Sequence, residues 1–177
     1  MEPPEMINAG QLVLKRWEAE WAEEGTAAIR ESIPELEPFL PWASDSYVLS
    51  DTREYIERSV KSWEAGTEFN YAIFTTVGEL IGSIGLMTRL GPGVLEIGYW
   101  LRSTYTRRGY MTAAVDAIAR VALALDGIDR IAIQHDVANV ASGIVAERAG
   151  FPEVRQFDRD PTAPGETGRF VLRERRA

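Results

Sequence analysis

The chain has 177 residues, 45% of them hydrophobic and 26% charged, the balance of a folded domain with its own core rather than of a disordered segment. A formal net charge of -8 argues against broad nucleic-acid binding, which needs a basic surface to displace counterions from phosphates. With no cysteine and one histidine, disulfides, thiol nucleophiles, Cys-based zinc sites and His-rich metal centres are excluded, and no metal is expected. The opening MEPPEMINAG has neither the basic nor the apolar region of a signal peptide, and no apolar run reaches membrane-spanning length. The expectation is a cytoplasmic, non-membrane protein with a single domain over residues 1–177.

Residues 12–17 (LVLKRW) alternate in polarity and predict a first strand, and residues 18–32 are acidic and helix-favouring, anchored by Trp17, Trp21 and Ile29. Pro34 and Pro41 then interrupt an apolar stretch containing Leu36, Phe39, Leu40 and Trp42. Such a segment is expected to shape a binding site, close the core as a lid, or form a dimer contact. Asp51 followed by Glu54 has the spacing of a helix N-cap and its reciprocal partner. Tyr55, Ile56, Val60 and Trp63 recur at helical spacing up to Gly66, a suitable stop. Residues 71–76, 80–87 and 94–101 are β-branched and aromatic, and the turns Val77-Gly78-Glu79 and Gly91-Pro92-Gly93 join them into a predicted antiparallel meander. Met111, Ala114, Val115, Ile118, Ala122 and Leu125 line one face of a further helix. A strand over residues 128–135 follows, and strand, helix, strand implies a right-handed crossover with local parallel pairing. Asn139 begins a last helix that ends at Gly150, and residues 169–173 supply a final strand.

Three places carry chemistry. Glu96 stands among strand apolars in VLEIGYWL; a carboxylate removed from water takes up a proton more readily, which suits a base for an ammonium group, whereas an edge-strand Glu facing water has no such role. Arg107, Arg108 and Gly109 lie at a loop-to-helix junction, where unpaired N–H groups and the helix dipole favour phosphate oxygens, although a lone glycine turn with a solvated Arg pair looks the same in sequence. Asn139 and Ser142, three residues apart, share one face at the start of a helix, as a capping pair or as site residues. His135, at a strand end, is either a titrating group or a hydrogen-bonded structural one. Neither a P-loop nor a dinucleotide-binding glycine motif is present, and neither G-x-S-x-G nor H-E-x-x-H occurs, so the corresponding nucleotide-binding, hydrolase and zinc-protease readings fall away.

EIGYWL, RRGYMTAAVDAI and NVASGIVAERAGF, in this order and spacing, resemble the GNAT N-acetyltransferases, in particular the RimJ/RimL-like branch. LEPFLPWA near residue 40 and EYIERSVKSWEAGTEFNYAIF from residue 54 extend the resemblance over most of the chain. It implies an α+β protein with the GNAT acyl-CoA N-acyltransferase fold: a central, mostly antiparallel sheet of six to seven strands flanked by helices, splaying after the fourth strand to admit acetyl-CoA. On this resemblance the backbone of Tyr99, Trp100 and Leu101 would pair with the pantetheine arm. The N–H groups of Arg107, Arg108, Gly109, Tyr110, Met111 and Thr112 would hold the pyrophosphate, and Asn139 would contact the cosubstrate near its reactive end. Ser142 would protonate the leaving thiolate, and Glu96, directly or through water, would deprotonate the amine.

The chain departs from the family turn Q/R-x-x-G-x-G/A at Thr106 and Met111. It also has Ala146 where many members place a tyrosine acid, which leaves Ser142 or a water for that role. The implied reaction is direct acetyl transfer to a primary amine in a ternary complex, without an acyl-enzyme. The acceptor is a protein N-terminal amine, as on a ribosomal protein, or a small amine such as a polyamine, an aminoglycoside or a toxin. A noncatalytic acyl-CoA sensor is the alternative class, and both a homodimer and a monomer fit the aromatic content.

Overall fold

The computed structural model describes residues 1–177. Its strands are β1 (Met6–Ala9), β2 (Leu12–Arg16), β3 (Glu68–Thr75), β4 (Leu80–Met87), β5 (Val94–Leu101), β6 (Arg130–Asp136), β7 (Glu153–Asp158) and β8 (Arg169–Arg176). They form one sheet in the order β1-β2-β3-β4-β5-β6-β8-β7, antiparallel throughout except for the parallel pair β5 and β6. The helices are α1 (Ala22–Glu31), α2 (Ile33–Leu36), α3 (Leu49–Ala65), α4 (Tyr110–Leu123) and α5 (Val140–Arg148). The α+β architecture is the expected one, with eight strands in place of six to seven. The two additions are β1, only four residues long and preceded by prolines, and the edge strand β7, whose side chains are almost all exposed. Neither leaves an apolar pattern of any length in the sequence.

Side-chain alternation along β5 divides its residues between two cores. Leu95 and Ile97 face α4 and pack with Met111, Val115, Ile118 and Phe151, with Tyr99 and Leu101 against the same cluster. Trp100, on the opposite face, packs with Trp17, Ile29 and Ile56 under α1 and α3. A fully buried large apolar side chain contributes ~1.5–3 kcal/mol. Ile118 and Val115, both at 0% exposure, therefore anchor α4, whose N-cap Gly109 offers no side-chain acceptor.

Helix α3 starts two residues before Asp51. Val48, in extended conformation, is its N-cap, and the Asp51 carboxylate accepts from the Val48 N–H at 2.8 Å. Asp51 is thus the reciprocal partner rather than the cap, while Gly66 ends the helix at φ 71° as expected. Pro34 fits within the first turn of α2, where its missing N–H is not needed, so the Pro-broken segment contains one helical turn.

The feature that makes a site lies between β5 and β6. They pair only from Val94 to Glu96 against Arg130 to Ala132, whereas β5 stays paired with β4 up to Leu101 and β6 with β8 up to Asp136. Past Glu96 and Ala132 the sheet opens into a wedge.

Candidate active site

One lip of the wedge is the backbone from Ile97 to Leu101, bound to β4 on one side and without a ladder partner on the other. Unpaired strand groups of this kind seek an extended partner. The lip is set by a close approach: a Cβ on Gly82 would lie 2.4 Å from the Trp100 carbonyl oxygen, so only glycine lets β4 and β5 meet as they do. Tyr99, Trp100 and Leu101 all lie on this lip.

Beyond β5 the chain turns through a 3-10 segment, Ser103–Tyr105. The Ser103 N–H donates to Ser32 Oγ at 2.9 Å and Arg102 pairs with Glu31 at 2.6 Å, fastening this turn to the junction of α1 and α2. Arg107 and Gly109 then adopt left-handed conformations, φ 62° and 78°, a state that costs a non-glycine residue ~1–2 kcal/mol. No heavy atom lies within 4 Å of a Cβ built on Gly109. Gly109 is therefore required for its backbone angle and creates no tight contact inside the protein. The N–H groups at the start of α4 have no side-chain cap, and the exposed Arg107 and Arg108 stand beside them, a combination that favours phosphate oxygens. Arg108 stacks on Tyr105, 5.3 Å from the ring centroid. Met111 is buried in the core, so only its N–H can serve an anion, and Tyr110 and Thr112 are half-buried beside it.

The other lip leads from β6 into α5. Asn139 caps α5, its Oδ1 accepting from the Ser142 N–H at 3.2 Å, which leaves the side-chain amide as its donor toward a ligand. The Tyr99 hydroxyl reaches across from β5 to within 2.7 Å of Ser142 Oγ and 3.4 Å of the Ser142 carbonyl. Burial pushes the Tyr99 phenol up to about 12 despite the Ser142 hydrogen bond. His135 is structural: Nδ1 lies 2.9 Å from the Asp136 carbonyl, and Nε2 accepts from Arg173 Nε at 3.1 Å. Because Arg only donates, the ring is neutral with its proton on Nδ1, in keeping with burial lowering its basicity. Gly143 lets α5 sit on this ring, since a Cβ there would stand 3.2 Å from Cε1.

Glu96 lies at the apex of the wedge, 2% exposed, on the face of β5 opposite Tyr99. It is not solitary. Both its oxygens accept from Arg89, at 2.5 Å from Nε and 2.8 Å from the second nitrogen. Proton acceptance from an amine therefore requires one of these bonds to open or a water to bridge. Glu96 and Ser142 thus occupy opposite sides of the sheet at the wedge and do not touch.

Near Trp100, segments distant in sequence come together. Trp42, 42% exposed, has its ring 6.5 Å from Trp100 and 5.7 Å from Tyr47. The Gly165 N–H donates to the Pro38 carbonyl at 2.7 Å, joining the segment before β8 to the Pro-broken segment. Asp136 holds that connection, accepting from the N–H groups of Ala138 (2.9 Å), Thr167 (2.8 Å) and Gly168 (3.0 Å) and from the Thr167 hydroxyl (2.9 Å). Burial opposes its ionisation, but these bonds outweigh it and hold its carboxyl below the ordinary range. Glu166 Oε2, on the same loop, is a buried side-chain oxygen without a hydrogen-bond partner.

Arg89, the Tyr99 side chain, Gly82, Asp136 and Glu166 were not legible as site residues. Only Arg89 had a usable signal: a hairpin about Gly91-Pro92-Gly93 brings the segment around Arg89 back to Glu96.

The Acetyltransferase (GNAT) domain family matches residues 11–152. Among curated proteins, the probable N-acetyltransferase YjcK of Bacillus subtilis (strain 168) is 28% identical over 151 residues, covering 82% of this chain and 83% of YjcK. Among solved structures, the Microcin C7 self-immunity acetyltransferase MccE, in complex with acetyl-CoA and AMP, superposes with a TM-score of 0.90 at 19% identity, covering 98% of this chain and 97% of MccE. The ribosomal L7/L12 alpha-N-protein acetyltransferase RimL, in complex with coenzyme A, gives 0.88 at 20% identity, covering 97% of this chain and 98% of RimL. Both share the overall fold, and with the family match over most of its length the chain belongs to the GNAT acetyltransferase family.

Proposed function

We propose that this protein transfers acetyl from acetyl-CoA to a primary amine by direct attack in a ternary complex, and that the acceptor is a protein N-terminal amine. The observation that supports the reading is the wedge: unpaired β5 backbone forms one lip, Tyr99 reaches from it to Ser142 beside Asn139 on the other, and the basic left-handed turn before α4 follows β5 in the chain. Acetyl-CoA supplies the activated thioester when bound. The residues present suit it, since a strand edge matches an extended amide-bearing arm and the turn offers N–H groups and two guanidinium groups to a pyrophosphate.

The backbone of Tyr99, Trp100 and Leu101 holds the pantetheine arm, and Arg107, Arg108, Gly109, Tyr110, Met111 and Thr112 bind the pyrophosphate. Asn139 donates near the reactive end. An α-amino group, with a pKa of about 8, is mostly protonated at neutral pH. Glu96 takes that proton, through a water while Arg89 is in place, and Ser142 donates to the sulfur on the other side of the sheet. The net charge of -8 favours encounter with a basic protein partner, and RimL offers the precedent of an alpha-N-protein acetyltransferase.

A small amine is the second reading. Exposed Trp42 beside Trp100 presents an aromatic surface suited to a flat ring, and MccE was solved with AMP as well as acetyl-CoA. Release of CoA across N-terminal peptides and small amines decides between them. Turnover confined to peptides supports the first reading, turnover confined to ring-bearing amines supports the second, and acetyl-CoA binding without any turnover refutes both.

A further inference from the structure

Tyr99 and Ser142, 43 positions apart in sequence, meet where the two lips of the wedge come together on the α4 and α5 side of the sheet. Asn139 fixes the Ser142 backbone through its N–H but leaves the hydroxyl free to rotate. Ala146, one turn further along α5, is buried in the core and offers no polar group. The hydrogen-bond partner of Ser142 Oγ within the protein is the Tyr99 phenol, delivered from the strand whose backbone forms the opposite lip.

We propose that Tyr99 is the positioning residue for Ser142: its phenol donates to Ser142 Oγ, so that the single Ser142 proton points into the wedge at the departing thiol sulfur. The inference rests on the acetyl-transfer reading above. The opposite polarity, Ser142 donating to Tyr99, would send the phenol proton to the Ser142 carbonyl at 3.4 Å, a much longer bond than the 2.7 Å to Oγ and a weaker one. No proton leaves Tyr99. Burial pushes it up to about 12, well above an ordinary thiol at ~8.5, and the still less acidic Ser142 hydroxyl likewise keeps its proton, donating a hydrogen bond to a thiolate that is finally protonated from solvent. Tyr99 stays a donor across the neutral range, and its contribution is orientation and polarisation of one hydroxyl.

The test compares Tyr99→Phe, Ser142→Ala and the double variant. Phe keeps the ring packing, and unchanged melting temperatures confirm the fold. A hydrogen bond of ordinary strength corresponds to about a five- to tenfold change. Tyr99→Phe should therefore lower kcat by that factor with the KM for acetyl-CoA unchanged, and should add nothing to Ser142→Ala. A second readout is free of turnover. The chain has no cysteine, so thiolate absorbance in the CoA complex reports only the CoA thiol. Its pKa should lie below that of free CoA in the wild type and rise equally in both single variants. An unchanged kcat in Tyr99→Phe, losses that multiply in the double variant, or a bound thiol indifferent to Tyr99 would each overturn the role. An inactive wild type overturns the acetyl-transfer reading and this role with it, whereas an active wild type with unaffected Tyr99→Phe overturns only the role of Tyr99.

Discussion

Gly82→Ala is the sharpest test of how the fold makes the site, because Gly82 touches no ligand yet sets the lip. An added Cβ would stand 2.4 Å from the Trp100 carbonyl oxygen and 3.3 Å from the Leu101 Cα, both backbone atoms that cannot rotate away. Non-bonded contacts settle near ~3.5 Å, so β5 must retreat by roughly 1 Å. Overpacking of this kind costs ~1–3 kcal/mol. At about 2 kcal/mol, the melting temperature should fall by roughly 4–8 °C for a domain of this size. The retreat displaces the backbone of Trp100 and Leu101, where the pantetheine arm is proposed to pair, and a misplacement of about 1 Å can cost ~100-fold in rate. Calorimetry should therefore show weaker acetyl-CoA binding, and single-turnover rates a larger loss than the stability change explains. Gly85→Ala is the control: its Cβ would meet Asn70 Oδ1 at 2.1 Å, and that side chain can turn away by giving up the bond its Nδ2 donates to Ser59. That variant should lose stability but keep acetyl-CoA affinity. If Gly82→Ala melts and binds like the wild type, the lip is not set by this contact.

Other outcomes follow from the same geometry. Glu96→Gln should lower acetyl transfer at neutral pH while leaving acetyl-CoA binding nearly intact; a variant that loses stability yet transfers normally would make the Arg89 pair purely structural. Arg89→Met leaves a buried carboxylate without its cation. Because the Arg89 side chain is 60% exposed, water can replace it, so the cost should be ~1–2 kcal/mol rather than the ~3–5 of a fully buried broken pair, measurable by urea denaturation. Asp136→Asn turns an amide donor toward backbone N–H groups and should cost ~1–3 kcal/mol, with faster hydrogen exchange over residues 162–168; unchanged exchange there would show that the loop is held by other contacts. His135 is held below its ordinary value of 6.5, first by burial. The unfolded chain therefore binds the proton more tightly, and the His135 contribution is complete above pH ~6.5 and is lost as pH falls through the lower folded value. The melting temperature should decline over that window, and His135→Gln should flatten the decline; an equal slope in the variant would assign it to other groups.

The meander from residue 71 to 101, the helix faces of α3 and α4 and the stop at Gly66 were legible because they rest on local patterns of burial and turn chemistry. Glu96 stood out for a similar reason, as a carboxylate inside a strand otherwise made of apolar residues. Boundaries were less legible, as Asp51 shows: an acidic residue suits both the cap and the third helical position, and packing of the preceding turn decided between them. β1 and β7 escaped because a short strand and an exposed edge strand carry little apolar signal.

What the sequence by itself determined was therefore an α+β chain with no cysteine and a single histidine, with a carboxylate, a basic glycine turn and an Asn-Ser helix start in the order of a GNAT acetyltransferase. Only the tertiary structure decided that β5 and β6 part after three residues, that Arg89 occupies Glu96, and that Tyr99 crosses the wedge to Ser142. Each of these depends on how elements far apart in sequence pack and on the register and splay of neighbouring strands. Local periodicity carries no information about such distances, because the free energy that sets them comes from burial of the two cores on either side of the sheet.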